Sequence, residues 1–416
     1  MNRMLTCLLS LATIVFVAAK PGDPPPPADS PSAKSQDTTD ANGETIVMPR
    51  RRKPIVPDPA RLSKALPEER EAVRAAIVAE GGEKYNERGR VNWISCEIPT
   101  DADVKLFAAL PDLEYLHIGP PFFLTGSQSE GYHGPPKVDD AGLATLYKVR
   151  KLRTLAIVDT QVTNECLKVV GQLTNLRSLV LGSTGITGAG MGHLDGLKRL
   201  EVLNLRDSMV GDDGMRSVGT HVTLKQLRLN SSVSAKGLAE LVRLTSLEVI
   251  WIDRRLNDED MRFIGQLRNL RVLKRGLFDL TETGLRSMKD MKRLQSLDLE
   301  NTAATDAGMV YVAQMSGLEC LFLSPRISDA GVSQLSGLAG LKTLGLSGAK
   351  VTDEALKNVK TLAELRTLWL SDTRVTARGI AQLRGMKKLE RVGVSGTGIS
   401  DYDIEELNSI GIPVKK

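Results

Sequence analysis

Leucines and other apolar residues recur along most of the chain at a fixed spacing. In LRTLWLSDTRVTARGIAQLRGMKK, residues 365–388, Leu368 and Leu370 alternate with their neighbours, which predicts a short strand with one buried face. Ile380 and Leu383 lie three positions apart and predict a helix for the return segment. Eleven copies of this unit follow one another in steps of 23 or 24 residues, and their first leucines are Leu152, Leu176, Leu200, Leu224, Leu247, Leu270, Leu294, Leu318, Leu341, Leu365 and Leu389.

The sequence also predicts where the array of repeats begins. An imperfect copy starts at Leu113, and VNWISCEIPTDADVKLFAAL, residues 91–110, forms a degenerate unit before it. LPEEREAVRAAIVAEGG, residues 66–82, predicts a helix, since Pro67 suits the first helical turn and Gly82 suits its end. A helix followed by a strand is what a terminal cap requires, because the open edge of the first repeat must be covered. One unit cannot bury its own apolar face, so the units must stack.

The shared pattern reads L-x-x-L-x-L-x-x-T-x-V-T-x-x-G-φ-x-x-L-x-x-φ, where φ is apolar. It resembles leucine-rich repeats, specifically the 23–24-residue V-T-D-x-G-L class common in secreted proteins of planctomycete bacteria. It is also similar to the repeat half of F-box substrate receptors. The resemblance covers about residues 91–410. It implies an α/β leucine-rich-repeat solenoid of about 12 repeats, an arc with a concave parallel sheet and convex helices, and it implies a scaffold rather than a particular activity.

Polar residues also recur within the repeat. Hydroxyl residues stand where this family normally has an asparagine that bonds the backbone of adjacent coils, and we expect them to make some of the same bonds. They are Thr160, Thr184, Ser208, Ser232, Thr302, Thr373 and Thr397. Pairs such as Thr352-Asp353 begin each predicted helix, where side-chain oxygens can cap free N–H groups. This fixed offset favours capping over a calcium or acid–base array for the aspartates Asp140, Asp306, Asp329, Asp353 and Asp401.

The N-terminal part differs in composition from the repeats. Residues 1–19 place Arg3 before an apolar run that ends in small residues at Ala19, which predicts a secretory signal peptide. The run is shorter than the roughly 20 residues that span a bilayer, and an uncleaved N-terminal membrane anchor is the alternative. The predicted divisions that follow are a disordered Pro-rich linker at 20–59, an N-terminal helix and capping unit at 60–112, the repeats at 113–410 and a C-terminal tail at 411–416.

Charge and chemistry narrow the function. The formal net charge is +5, from 55 basic and 50 acidic side chains that are interspersed, so we do not expect nucleic-acid binding. No G-x-S-x-G, H-E-x-x-H or phosphate-loop spacing occurs, and we predict neither an enzyme nor a cofactor. Cys96, Cys166 and Cys320 are too far apart in sequence to indicate a metal site, and we expect them to be small buried residues. His193 and His221 fall on predicted convex helices and are expected at the surface.

The concave face is the predicted partner surface. Two residues of each strand flank its buried pair and face outward. Both rows are small or neutral toward their ends, apart from Trp369, and charged or aromatic in the middle, which is the usual composition of an interaction hot spot. His117 occupies the same outward position and could meet a ligand, and drift of a solvated surface is the alternative interpretation. The predicted residues are Arg206, Arg228, Trp251, Asp253, Lys274, Glu300, Phe322 and Trp369.

Loop irregularities supply further candidates. The copies that begin at Leu224 and Leu247 have lost one residue after the strand, so Arg254 and Arg255 fall in a shortened loop at the rim. Arg275 replaces a buried leucine, and we expect a bulge or a partner for it. Residues 119–138 form a long insertion, either a second partner surface or a flap over the end of the sheet. Its candidate residues are Phe122, Phe123, Tyr132 and His133.

These observations predict an exported, non-catalytic scaffold that binds a protein or a cell-envelope polymer through its concave sheet. The chain is expected to be a monomer with no membrane span once the signal is removed, and to be located in the periplasm, cell envelope or extracellular space. A purely structural envelope component, tethered by the linker, is one alternative. An F-box-like substrate-receptor module of a ubiquitin ligase is another, and it is disfavoured because no recognisable F-box precedes the repeats.

Overall fold

The structure, a computed structural model, describes residues 90–120, 135–274 and 277–416, with only the backbone at 277–278, and the backbone of 38–39, 45–46 and 82–85. The predicted signal peptide lies outside these residues, as does the predicted linker apart from two short strands. Residues 66–81 of the predicted N-terminal helix, the insertion at 121–134 and Arg275 also lie outside them.

Each repeat contributes one short strand and one short helix, as the apolar periods predict. The strands are β1 (Thr38–Thr39), β2 (Thr45–Ile46), β3 (Gly82–Tyr85), β4 (Val91–Cys96), β5 (Tyr115–Ile118), β6 (Thr154–Val158), β7 (Ser178–Gly182), β8 (Val202–Asn204), β9 (Gln226–Leu229), β10 (Val249–Ile252), β11 (Leu256–Asn257), β12 (Val272–Lys274), β13 (Leu277–Asp279), β14 (Ser296–Asp298), β15 (Cys320–Phe322), β16 (Thr343–Gly345), β17 (Thr367–Trp369), β18 (Arg391–Gly393) and β19 (Val414–Lys415).

The helices follow the strands in alternation. The α-helices are α1 (Asp101–Phe107), α2 (Asp140–Leu143), α3 (Asn164–Val170), α4 (Asp212–Val218), α5 (Ala235–Glu240), α6 (Asp258–Ile264), α7 (Glu282–Met288), α8 (Met309–Val312), α9 (Asp329–Ser333), α10 (Asp353–Val359), α11 (Ala377–Ala381) and α12 (Asp401–Ser409). Short 3-10 helices lie at Leu146–Lys148, Gly188–Leu194, Leu241–Arg243, Asp306–Gly308 and Gln334–Gly337.

The strands stack side by side in chain order. A nine-stranded sheet runs from β3 to β10 and ends at β12, and a six-stranded sheet runs from β14 to β19. Within these two sheets neighbouring strands are parallel, except that β3 and β4 are antiparallel. β1 and β2 form a separate antiparallel pair. The repeat leucines, such as Leu368 and Leu370, are buried in one continuous core between the sheet and the helices. Burial of one such side chain contributes about 2 kcal/mol. The predicted α/β solenoid is confirmed.

The sheet is interrupted between β12 and β14. Within the nine-stranded sheet, the carbonyl of Arg153 accepts hydrogen bonds from the N–H groups of both Arg177 and Ser178. At the interruption, the carbonyl of Arg271 accepts a hydrogen bond from the N–H of Gln295. Beside this point β13 pairs with β11, and a register shift occurs at residues 256–257. The interruption divides the concave face into two halves.

Hydrogen bonds at the helix N-termini connect successive repeats. Thr281 caps its own helix α7, because its hydroxyl accepts from the N–H of Thr283 at 3.2 Å. Asp258, the first residue of α6, accepts from the N–H of Thr281 at 2.8 Å, from its hydroxyl at 2.5 Å and from the N–H of Gly284 at 3.0 Å. Capping is confirmed for Thr163, Thr281, Thr352 and Thr376, whereas Thr187 and Thr305 make no side-chain cap bond. The aspartate accepts hydrogen bonds from the following repeat rather than from its own helix. The residues that bond the next repeat in this way are Asp101, Asp140, Asn164, Asp212, Asp258, Glu282, Asp306, Asp329 and Asp353.

The glycine of the repeat pattern has a steric role in these contacts. A Cβ added at Gly284 would lie 2.4 Å from Asp258 Oδ1, and one added at Gly237 would lie 2.4 Å from Asp212 Oδ1. Such a distance is below any normal non-bonded contact, so the close approach of the carboxylate to the backbone N–H favours glycine.

The hydroxyl residues at the consensus asparagine position behave differently from the prediction. Ser208 Oγ donates to the carbonyl of Leu205 at 2.8 Å, within its own repeat. The bond to an adjacent coil comes from the position after the second strand leucine, where Asn230 Nδ2 donates to the carbonyl of Ser208 at 3.0 Å. Ser324 Oγ makes the same contact with the carbonyl of Thr302 at 3.2 Å. Since Asn230 and Ser324 are buried, the expectation that this whole row faces outward is wrong.

Candidate functional site

Polar and aromatic side chains meet on the concave side of β8, β9, β10 and β12. Asn204, Arg228, Trp251 and Lys274 are direct register partners on these four neighbouring strands. Parallel neighbours lie about 4.8 Å apart, so the side chains of this row are within contact distance. We call the following residues the central cluster: Asn204, Arg206, Arg228, Trp251, Asp253 and Lys274.

An ion pair lies at the middle of the central cluster. Arg228 Nη2 lies 3.3 Å from Asp253 Oδ2 and 3.5 Å from Oδ1, and the side chains are 16% and 14% exposed. Burial lowers the pKa of Arg228 below its ordinary value, while the charge of Asp253 opposes that shift. A guanidinium stays charged under these conditions because its pKa lies far above neutral pH. The pair therefore presents a half-buried positive group that a carboxylate orients.

Trp251 lies beside this pair. Lys274 Nζ stands over the Trp251 ring at 5.3 Å from its centroid, a cation–π distance. Burial lowers the pKa of Lys274, and the positive charge of Arg228 acts in the same direction. Arg206 Nε contacts Asp207 Oδ2 at 2.9 Å on the other side of the row. The structure thus brings together five of the predicted residues: Arg206, Arg228, Trp251, Asp253 and Lys274.

Two acidic residues lie across the interruption of the sheet. Asp298 Oδ1 accepts from the N–H of Glu300 at 2.9 Å, and Glu300 is half-buried. Burial raises the pKa of Asp298 above its ordinary value. Glu300 therefore lies on the predicted face but in the six-stranded half, beyond the last strand of the central cluster.

The aromatic residues on the six-stranded sheet pack against neighbouring strands and are not fully exposed to solvent. Phe322 is 1% exposed, so its prediction as a solvated aromatic is wrong. A Cβ added at Gly345 would lie 2.3 Å from Phe322 Cδ1, which shows that the ring lies against this glycine of the next strand. Trp369 is half-buried and lies against Gly393 in the same way, at 2.4 Å from the corresponding Cβ position. The neighbouring glycines leave space for the rings to lie flat on the sheet.

Arg254 has a structural contact that its loop position did not reveal. Its guanidinium forms two bonds of 2.6 and 2.7 Å with the carboxylate of Asp260, which is 1% exposed. Its Nε also donates to the carbonyl of Val233 at 2.6 Å. Arg254 therefore connects the shortened loop to helix α6, whereas Arg255 is exposed.

Asn204 was not among the predicted residues, although it is a member of the central cluster. Its side chain is fully buried, and Oδ1 accepts from the N–H of Arg206 at 2.9 Å. The sequence contained one signal for it. Asn204 is a polar residue that follows the apolar Ala156 and Val180 in the same row.

The histidines are distributed differently from the prediction. His221 is 2% exposed, and burial lowers its pKa, so its expected surface location is wrong. His193 is exposed, as predicted. His117 is buried at 9% exposure, and its Nδ1 lies 2.9 Å from Ser95 Oγ. These positions give His117 little access to a ligand.

We expect the burial of His117 to make the fold sensitive to mild acid. Burial lowers the pKa of His117 from 6.5 to about 4, so the unfolded chain binds a proton first as the pH falls. The contribution of His117 to the free energy of unfolding is therefore fully present above pH 6.5. It decreases by roughly 2–3 kcal/mol as the pH falls toward 4, because a tenfold difference in proton affinity corresponds to about 1.36 kcal/mol. Urea unfolding of His117→Gln should show a smaller loss between pH 7 and pH 4.5. The exposed control His193→Gln should retain the full loss, and equal losses in both variants would contradict this assignment.

The remaining predicted positions concern cysteines, the insertion, metals and membranes. Cys96, Cys166 and Cys320 are buried, as expected, and Cys166 is a free thiol. Phe122, Phe123, Tyr132 and His133 lie outside the described residues. Across 90–120, 135–274 and 277–416, three or more His, Cys, Asp or Glu side chains nowhere gather in a geometry that would hold a metal ion. The described helices are all too short or too polar to span a bilayer.

Comparisons with known proteins agree with this architecture. The profile of a leucine-rich repeat region matches residues 137–399. An internalin of Listeria monocytogenes str. 4b F2365 is 21% identical with a TM-score of 0.51, over 65% of this chain and 82% of the internalin. A leucine-rich-repeat protein of Leptospira interrogans is also 21% identical with a TM-score of 0.51, over 75% of this chain and 80% of that protein. A search of curated protein sequences gives no match.

The two structural likenesses concern the fold alone at this level of identity. The profile match covers more than half of the chain, and within it lie the repeating strand, cap and helix described above. The chain belongs to the leucine-rich repeat family.

Proposed function

We propose that this protein is an exported, non-catalytic scaffold that binds a protein partner through the central cluster. The leucine-rich-repeat fold is typical of interaction scaffolds and says little about chemistry. Export is supported by the signal-like composition of residues 1–19. We expect a monomer, and the interspersed charges of the sequence support a partner other than nucleic acid.

One observation carries the choice of site. The central cluster holds the half-buried Arg228, Trp251 and Lys274 in register on three neighbouring strands, beside the buried Asn204 on a fourth. Farther along the same row, Phe322 is buried and Trp369 packs against a glycine of the next strand. Rigid, partly desolvated Trp and Arg side chains are the groups that contribute most to protein interfaces. Side chains that already pack against their neighbours lose less conformational entropy when a partner binds.

Partner recovery from the envelope of the source organism tests this site. The double variant Trp251→Ala, Lys274→Ala should recover at least about tenfold less partner than the wild type, measured by quantitative mass spectrometry after pull-down. Phe322 is left unchanged because its burial would confuse binding with stability. Tyr402→Ala, which removes an exposed aromatic from α12, is the control and should recover the normal amount.

Several outcomes would contradict the proposal. Unchanged recovery by the double variant would exclude the central cluster. Recovery that survives protease treatment of the extract would indicate a cell-envelope polymer in place of a protein. An intact, unprocessed chain found in the cytoplasm would contradict export.

A further inference from the structure

We infer that the central cluster contains a carboxylate-binding subsite, formed by the side-chain amide of Asn204 and the guanidinium groups of Arg206 and Arg228. It would accept an acidic side chain of a partner polypeptide. This inference rests on the proposed function, because it names the chemistry that the same surface recognises.

The amide of Asn204 is the first observation. Asn204 is fully buried, and Nδ2 has no acceptor among the described residues. The amide orientation is determined, since Oδ1 accepts from the N–H of Arg206 at 2.9 Å and Nδ2 must point away from it. Buried donors are nearly always bonded in folded proteins, and an unbonded one at a binding surface indicates a group that a ligand completes.

The geometry of Arg228 is the second observation. Arg228 is the register partner of Asn204 on the next strand, and its contacts with Asp253 are 3.3 and 3.5 Å long. In the same region, the paired guanidinium of Arg254 approaches Asp260 at 2.6 and 2.7 Å. Well-formed bidentate ion pairs have the shorter of these distances. Asp253 therefore orients Arg228 but does not form a close bidentate pair with it. Asp253 therefore holds Arg228 beside Asn204, and a guanidinium carries five N–H donors that suit an oxyanion.

The exposure of the subsite and its net charge indicate which ligand it would bind. The side chain of Arg206 is 30% exposed and that of Arg228 is 16% exposed, so the guanidinium of Arg206 is the group that an incoming carboxylate contacts first. Arg206, Arg228 and Lys274 supply three positive charges, and Asp207 and Asp253 supply two negative charges, which leaves one positive charge. One positive charge matches a carboxylate, which is a monoanion, better than a phosphate, which carries nearly two charges near neutral pH.

Isothermal titration of the full-length protein with an N-acetylated pentaglutamate peptide tests the subsite. Wild type should bind pentaglutamate and should not bind the matched pentaglutamine peptide. Asn204→Asp should weaken pentaglutamate binding by at least about tenfold, because it replaces the donor with a charged acceptor. The fold should accept this change, since Asp298 occupies the same repeat position and its Oδ1 makes the same bond to a backbone N–H at 2.9 Å.

A reciprocal variant and a second probe complete the experiment. Asp298→Asn makes the opposite change in the other half of the arc and should leave pentaglutamate affinity unchanged. Arg206→Gln supplies an independent measurement if Asn204→Asp loses its circular dichroism spectrum, and it should also weaken binding. Tighter binding of a pentaphosphoserine peptide than of pentaglutamate would overturn the assignment to carboxylates.

The two proposals fail in different ways. If wild type does not bind pentaglutamate, or if Asn204→Asp binds as well as wild type, the carboxylate subsite is wrong. If partner recovery nevertheless falls in the Trp251→Ala, Lys274→Ala variant, the central cluster remains the binding surface. If pentaglutamate binds as inferred but partner recovery is unchanged in that variant, the proposed function is wrong.

Discussion

Replacing Arg254 with alanine should lower the free energy of unfolding by about 3–5 kcal/mol. The change leaves the carboxylate of Asp260 buried at 1% exposure without the guanidinium that pairs with it at 2.6 and 2.7 Å. It also removes the bond from Arg254 Nε to the carbonyl of Val233. Urea unfolding followed by circular dichroism measures the loss. Among single changes in the loops of the array, this one should have the largest effect on stability.

Two further variants identify the cause. Arg255→Ala changes the exposed neighbour of Arg254 and should alter stability by no more than about 0.5 kcal/mol. Arg254→Lys should recover only part of the loss, because an ammonium cannot form the two parallel bonds of a guanidinium. Equal losses for Arg254→Ala and Arg255→Ala would show that the ion pair does not stabilise the loop.

Replacing Asp258 with alanine should cost about 3 kcal/mol, because three hydrogen bonds from the following repeat lose a charged acceptor. The donors are the N–H and hydroxyl of Thr281 and the N–H of Gly284. The expected result is a lower urea midpoint, and a local loss of amide protection should centre on helix α7. Native-state hydrogen exchange distinguishes this local opening from global unfolding.

Asp258→Asn and Asp401→Ala are the matched controls. Asparagine keeps an acceptor, and Asn164 already bonds the N–H of Thr187 at 2.9 Å in an equivalent position, so Asp258→Asn should lose much less stability. Asp401 lies at the start of α12, where its carboxylate contacts the exposed Lys416 at 2.5 Å. Its replacement should change stability by no more than about 0.5 kcal/mol. A loss equal to that of Asp258→Ala would contradict the role of the inter-repeat contacts.

The concave row shows where sequence analysis reached its limit. Alignment of the leucines places Arg228, Trp251 and Lys274 on adjacent strands, because a fixed repeat length puts equivalent positions side by side. The same alignment places Phe322 on that row, but its burial depends on Gly345 in the next repeat. The position of Phe322 between the strand leucines indicates the side of the sheet on which its ring lies. The exposure of the ring depends on the side chains of the neighbouring strand.

The cap positions show the same limit along the edge of the helices. Thr281 is recognisable as a cap from its own repeat, since the bond it accepts comes from a residue two positions later. The partner of Asp258 lies 23 residues later, so local capping rules assigned the aspartate to the wrong helix. Asn204 was missed for a related reason, because only the structure shows that its amide nitrogen is buried without an acceptor among the described residues.

The sequence by itself determined the repeat, its strand and helix, the parallel order of the strands and the side of the sheet for the residue between the two strand leucines. These properties follow from the local periods of apolar residues and from a constant repeat length. Only the tertiary structure decided that Arg254 pairs with Asp260, that Phe322 is buried, and that Arg228, Asp253, Trp251 and Lys274 form one network. The physical reason is that burial and hydrogen-bond pairing depend on the side chains of adjacent loops and repeats, which a repeat pattern aligns but does not specify.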